Sequence, residues 1–198
     1  MLTKQEFGRQ ILHIIVGLTL TIMYYFDILS ALAVFLGIII GGLASLISKR
    51  TNLPIFSTFL KRFERKEDRD SFPGRGMIFF FIGVLLVMKL FEKDVALAAM
   101  MILTFGDSVS HLWGKKFGHL KNIFNGNSRK FFEGTLMGTL AGFVGAAFFV
   151  SIPQAFLASF AAMVMEVVEI DLNGKSLNDN LLVPLVAGTV IFLLRMYV

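Results

Sequence analysis

The chain has 198 residues, of which 56% are hydrophobic and only 17% charged, with a mean hydropathy of +0.74. A soluble domain of this length carries more charge and shorter apolar runs, so the composition excludes an ordinary soluble enzyme and leaves a polytopic membrane protein of all-α class, a single membrane domain over residues 1–198. The absence of cysteine excludes disulfides and thiolate metal sites, and the net charge of +5 reports loop orientation and not a nucleic-acid partner.

The opening MLTKQEFGRQ is polar and no small-residue cleavage site follows the first apolar run, which reads as a retained helix and not a signal peptide. Seven spans follow in chain order: Ile11–Phe26, Ile28–Ser48, Met77–Phe91, Val95–Trp113, Gly134–Val150, Gln154–Val168 and Leu181–Val198. Several fall short of the ~20 residues that cross a full hydrocarbon core. With the N-terminus in the cytoplasm, the tail and the loops 49–76, 114–133 and 169–180 hold 16 of the 19 Lys and Arg residues. That asymmetry predicts an N-terminus inside, a C-terminus outside, and every polar cluster below on the cytoplasmic face.

Arg9 and His13 lie four residues apart on one face of the first helix, either as an interfacial anchor or as a pair aimed into a site. The mixed-charge loop 49–76 ends in Pro73-Gly74-Arg75-Gly76, where Arg75 at a helix start either cradles a phosphate or simply opens the helix. The chain is organised around Thr104–Thr135. Asp107 ends an apolar run there at membrane depth, a position that is costly for a carboxylate and marks a polar site or partner. Lys115, Lys116, Lys121, Arg129 and Lys130 follow it. An acid that holds a cation, beside bases that hold an anion, points to a metal–polyphosphate site.

Helical steps put Asp107, Ser110, His111 and Gly114 on adjoining faces, with Asp107 as a magnesium ligand and His111 as a phosphate or headgroup contact. Gly134, Gly138 and Gly142 form a small-residue seam for close helix approach. Gly134 and Thr135 also open their helix, where its amides and dipole suit an anion. Glu166, Glu169 and Asp171, then Asn178-Asp179-Asn180, make a second oxygen-rich patch at the same membrane face.

Gly106-Asp107-Ser108-Val109-Ser110-His111, then Gly114-Lys115-Lys116-Phe117-Gly118, then Lys130-Phe131-Phe132-Glu133-Gly134-Thr135 resemble the GDxxAS…GxxxG…K(T/S)xEGT signature of the dolichol kinase, phytol kinase and CTP-dependent diacylglycerol kinase family. Arg9…His13…Gly17 resembles that family's opening motif, and Glu166…Glu169 with Asn178-Asp179-Asn180-Leu181…Pro184 its closing one, so the resemblance covers nearly the whole chain in order. Ser110 stands where alanine is usual, His111 where serine is usual, and Phe131 where Thr or Ser is usual, so no hydroxyl meets phosphate at 131.

The resemblance implies an integral membrane kinase that moves the γ-phosphate of CTP to a lipid alcohol: a polyprenol or dolichol, geranylgeraniol, phytol or diacylglycerol. In it, Asp107 holds Mg2+, with Glu133 as second metal ligand or base, and Glu166, Glu169 and Asp179 as further candidates for those two roles. Lys115, Lys116 and Lys130 hold the triphosphate, with Gly106, Ser110, Gly114, Gly118, Gly134 and Thr135 completing the nucleotide site. Arg9, His13, Arg75, His111 and Asn180 are substrate or phosphate contacts. Neither a P-loop nor the protein-kinase signatures occur. Two other readings stand beside it: a cytidylyltransferase that makes a CDP-activated lipid, and a non-enzymatic transporter or scaffold.

Overall fold

The computed structural model describes residues 2–49, 51, 58, 60, 62–64, 69, 72–120, 130–168, 171–172 and 175–197. Each of the seven apolar runs forms a helix. These are α1 (Lys4–Tyr25), α2 (Ala31–Ser48), α3 (Arg75–Leu90), a long rod built from α4 (Lys93–Met101), a π-helical segment (Ile102–Asp107) and α5 (Ser108–Phe117), then α6 (Phe132–Ala146), α7 (Ile152–Val168) and α8 (Asp179–Tyr197). A two-residue antiparallel hairpin pairs β1 (Asp171–Leu172) with β2 (Lys175–Ser176). Four helices are long and apolar enough to cross a membrane: α1, α2, the 25-residue rod and α8. Together they make the chain an integral membrane protein.

Local chemistry sets the ends. Thr3 caps α1 through its hydroxyl on the Glu6 amide, and Ser30 caps α2 through the Ala33 amide. Asn178 does the same for α8 by accepting from the Asn180 amide at 3.0 Å. Gly74 precedes α3 at φ 81°, a left-handed conformation that glycine adopts without a steric penalty.

The rod is the centre of the bundle. Val95 through Leu103 are all buried, with Ala96, Ala98, Ala99, Ile102 and Leu103 fully enclosed. Small side chains there let neighbours approach on every side. α6 crosses the rod antiparallel through the glycine seam. A Cβ on Gly134 would lie 2.5 Å from the Ser110 carbonyl oxygen, one on Gly138 2.7 Å from that of Gly106, and one on Gly142 2.5 Å from Ser159 Oγ and 3.4 Å from Ile102 Cα. The seam expected at 134, 138 and 142 is therefore the packing surface between α6 and the rod. α1 lies antiparallel on another side, where Gly17 sits so close to Thr104 that a Cβ would overlap its side chain. Pro184 inside α8 has no amide to bond the Asn180 carbonyl, and that carbonyl lies against Gly83 of α3, where any Cβ would collide with it.

Residues on α2 such as Leu32, Leu36, Ile40, Leu43 and Leu46 are exposed. Such a face is stable in lipid and not in water. Away from the polar cluster described next, Lys93 Nζ lies 2.6 Å from Asp27 Oδ1, and Arg195 bridges Glu92 and Asp94.

Candidate active site

The π-helical segment shapes the site. Thr104 donates its hydroxyl to the Met100 carbonyl at 2.7 Å, a back-bond that competes with the regular ladder. One wider turn resets which residues share a face, and such segments recur at functional sites. It ends on Asp107, which is 4% exposed. α5 then resumes regular geometry, so His111 returns to Asp107 one turn on, with Nε2 3.6 Å from Oδ1. From α1, His13 places Nε2 3.9 Å from Asp107 Oδ2 while its ring packs edge-on against Phe80 at 4.5 Å. Asp107 is held between two imidazoles.

The other half comes from α6, α7 and α8. Glu166, 1% exposed, stands near the end of α7. Ser110 donates its hydroxyl to Glu166 Oε1 at 3.4 Å. Lys130, just before α6, donates to the Glu166 carbonyl at 2.7 Å and to Asp179 Oδ2 at 2.9 Å, with Glu166 Oε1 3.5 Å away. Burial works against the lysine charge, but Glu166 and Asp179 outweigh it and raise the Lys130 pKa above the ordinary lysine value. Glu166 and Asp179 therefore favour the charged form of Lys130.

Asp107, His111, Glu166 and Asp179 each offer one ligand atom within 4.8 Å of the others, enough to hold a metal ion. Among the described residues, Asp107 Oδ1, Glu166 Oε2 and His13 Nε2 are buried with no hydrogen-bond partner. Buried polar atoms are normally satisfied, so unpaired ones gathered at one point fit a place where a cation or water binds.

The residues expected from the sequence distribute as follows. Asp107, Glu166, Asp179, His13, His111, Ser110 and Lys130 meet at this one site. Arg9 and Lys115 both bind Glu6 Oε1, at 2.8 and 2.7 Å. Glu133 stands apart: its Oε1 accepts from the amides of His119 and Leu120 at 3.0 Å each, tying α6 to the end of α5. Lys116 is exposed, over the Phe117 ring at 4.9 Å. Arg75 lies over the Phe79 ring at 5.6 Å. Asn180 donates to the Gly76 carbonyl at 2.9 Å, joining α8 to α3.

Gly106, Gly114 and Gly134 line the helix crossing; a Cβ on Gly134 would collide with the Ser110 carbonyl, one on Gly106 would press on the end of Met163, and Gly118 abuts Phe131. The amides of Gly134 and Thr135 already donate to the Phe131 carbonyl, at 3.0 and 3.3 Å. Glu169, Lys121 and Arg129 lie outside the described residues. The sequence reading missed Glu6, which is buried, and Gln10, 2% exposed on the same face of α1. Their signal was spacing, since Glu6 precedes Arg9 by three residues and His13 by seven.

Comparison with known proteins gives distant relatives. The chain is 28% identical to an uncharacterized protein of Methanocaldococcus jannaschii, over 94% of this chain and 93% of that one. It is 27% identical to "CTP-dependent diacylglycerol kinase 1" of Eremothecium gossypii over 72% of this chain, and spans 44% of that protein's length. It is 23% identical to "Probable phytol kinase, chloroplastic" of Triticum aestivum over 98% of this chain and 69% of that one. No family model matches the chain, and no solved structure matches it.

Glu133 offers a direct check on its role. A carboxylate that only ties two backbone amides and favours a helix start is worth about 0.3–1 kcal/mol to the helix. Glu133→Gln is expected to lower the melting temperature slightly and to leave turnover within a few-fold of wild type. A loss of turnover as deep as that of an Asp107 variant would put Glu133 back among the metal ligands or bases.

Proposed function

We propose that the chain is a membrane kinase that moves the γ-phosphate of CTP to the hydroxyl of a lipid alcohol, with its site at the cytoplasmic face. The observation that carries this reading is the cluster of buried Asp107 and Glu166 with half-buried His111 and Asp179 around Lys130, in which Asp107 Oδ1 and Glu166 Oε2 have no hydrogen-bond partner. The relatives named as CTP-dependent diacylglycerol kinase and phytol kinase support the nucleotide and the acceptor class.

The donors are three carboxylates and one imidazole, an oxygen-rich set that suits Mg2+. Asp107, His111 and Glu166 would hold it, and the unpartnered Asp107 Oδ1 and Glu166 Oε2 fit that use. Bound there, Mg2+ neutralises and orients phosphate oxygens. Phosphoryl transfer needs positioning and charge compensation more than covalent help, and the chain supplies both. Lys130 adds a fixed cation beside the phosphoryl group. Lys115 and Arg9 hold the rest of the triphosphate. Asp179, whose side chain is the most exposed of the four clustered groups at 26%, takes the proton of the lipid hydroxyl. The acyl or prenyl part stays in the bilayer beside the helices.

A cytidylyltransferase would use the same nucleotide and similar carboxylates. A transporter would need polar groups at several depths. The buried acids Glu6, Glu64, Asp107 and Glu166 instead gather toward the end of the bundle where α1 begins and α7 stops. The reading is tested with purified protein given CTP, ATP, GTP or UTP and a panel of polyprenol, geranylgeraniol, phytol and diacylglycerol. Phosphorylation of at least one alcohol with CTP is expected. No transfer from any nucleotide to any alcohol would refute it.

A further inference from the structure

α1 and the rod run antiparallel in a constant register: Gly17 meets Thr104, His13 meets Asp107, and Glu6 meets Lys115. Glu6 therefore stands two helical turns, about 10 Å, beyond the His13–Asp107 level, toward the N-terminal end of α1. α7 ends two residues after Glu166 and α8 begins at Asp179, so α1 and α5 extend past the cluster as a wall above it. On that wall Glu6 Oε1 receives Arg9 Nη2 at 2.8 Å and Lys115 Nζ at 2.7 Å.

The Glu6 side chain is only 9% exposed, whereas Arg9 and Lys115 are 29% and 23% exposed. The anion is on the inside and the cations are on the outside. The carboxylate cancels the repulsion that would otherwise separate the two cations. Arg9 has five N–H donors and gives one to Glu6, so it faces a ligand without leaving its partner. Releasing a buried carboxylate would be costly, so an incoming anion adds to this arrangement and does not displace Glu6.

We propose that Glu6 is a positioning residue that holds Arg9 and Lys115 as a preformed clamp for the inner phosphates of a nucleoside triphosphate, whose terminal phosphate reaches the Asp107 cluster. The inference rests on the reading of the chain as a nucleotide-dependent kinase and assigns a buried acid outside its reacting atoms.

The test uses full-length purified protein in detergent, as wild type, Glu6→Gln and Glu6→Asp. Binding of inorganic tripolyphosphate is measured by calorimetry, and KM for CTP and kcat are measured separately. Glu6→Gln keeps the shape and loses the charge that pins both cations. It is expected to weaken tripolyphosphate binding and raise KM for CTP by about tenfold, the effect of one charge-assisted hydrogen bond, with kcat within about twofold. Glu6→Asp is expected to recover part of both. A purely structural role would lower kcat and melting temperature together and spare the split. Unchanged or tighter tripolyphosphate binding by Glu6→Gln would overturn the proposal, as would no binding by wild type. Tripolyphosphate binding that depends on Glu6, in a protein that transfers nothing from CTP, would sustain the clamp and refute only the kinase reading.

Discussion

Asp107→Asn is expected to abolish turnover while the protein still inserts and folds. The amide has the shape of the carboxylate and is cheaper to bury at membrane depth, so the melting temperature should hold or rise. What it removes is the charge at the meeting point of His13, His111 and the orphaned oxygens. Loss of one well-placed electrostatic group in a closed site costs about 10²–10³-fold in kcat. Two measurements check it: turnover, and the rise in melting temperature on adding magnesium ions, which wild type should show and Asp107→Asn should lose. Near-normal turnover in a folded Asp107→Asn protein would remove this residue from the reaction.

Lys130→Met should destabilise the fold more than any other single change at the site. The lysine is the cation between Glu166 and Asp179, its side chain 12% exposed and theirs 1% and 26%. Removing one member of a buried ionic group costs about 3–5 kcal/mol, because the charges left behind lose their compensation. The loss should be largest in a chelator and smaller with magnesium ions present, since a cation held by the same carboxylates replaces part of the missing charge. Adding Glu166→Gln to Lys130→Met should recover stability and leave turnover abolished. If Lys130→Met melts like wild type in chelator, the three groups do not form the coupled unit described here.

Much of the fold is legible in the sequence because a membrane leaves few choices. Every uninterrupted apolar run became a helix, and the fourth-residue spacing of Gly134, Gly138 and Gly142 marks a close crossing wherever its partner lies. Asp107 is legible because a carboxylate in an apolar run has no neutral explanation. The pairing of Lys130 with Glu166 and Asp179 is not, because residues 36 and 49 positions away meet only after α6, α7 and α8 assemble. Signature position suggested that Glu133 belongs with the metal, yet its carboxylate turns to the amides of His119 and Leu120. Helix-end amides at Gly134 and Thr135 looked available for an anion, and the Phe131 carbonyl takes both. The π-helical segment has no residue signature; it holds Thr104, which bonds back to Met100 and packs against Gly17 of α1. Glu6 reads as one more charge in a polar tail until Lys115 is seen to arrive beside it from the far end of the rod.

The central claim concerns which phosphorus is attacked. A kinase attacks the γ-phosphorus of CTP, so the γ label enters the lipid and CDP is released. A cytidylyltransferase attacks the α-phosphorus, so the γ label leaves in pyrophosphate. Purified protein is therefore incubated with a lipid alcohol or, separately, with its monophosphate (the acceptor that synthesis of a CDP-lipid requires), together with magnesium ions and CTP labelled at either the α or the γ position. The account predicts a lipid phosphate labelled only from γ-labelled CTP, with CDP released in equal amount. Lipid labelled only from α-labelled CTP, with pyrophosphate released, would contradict it.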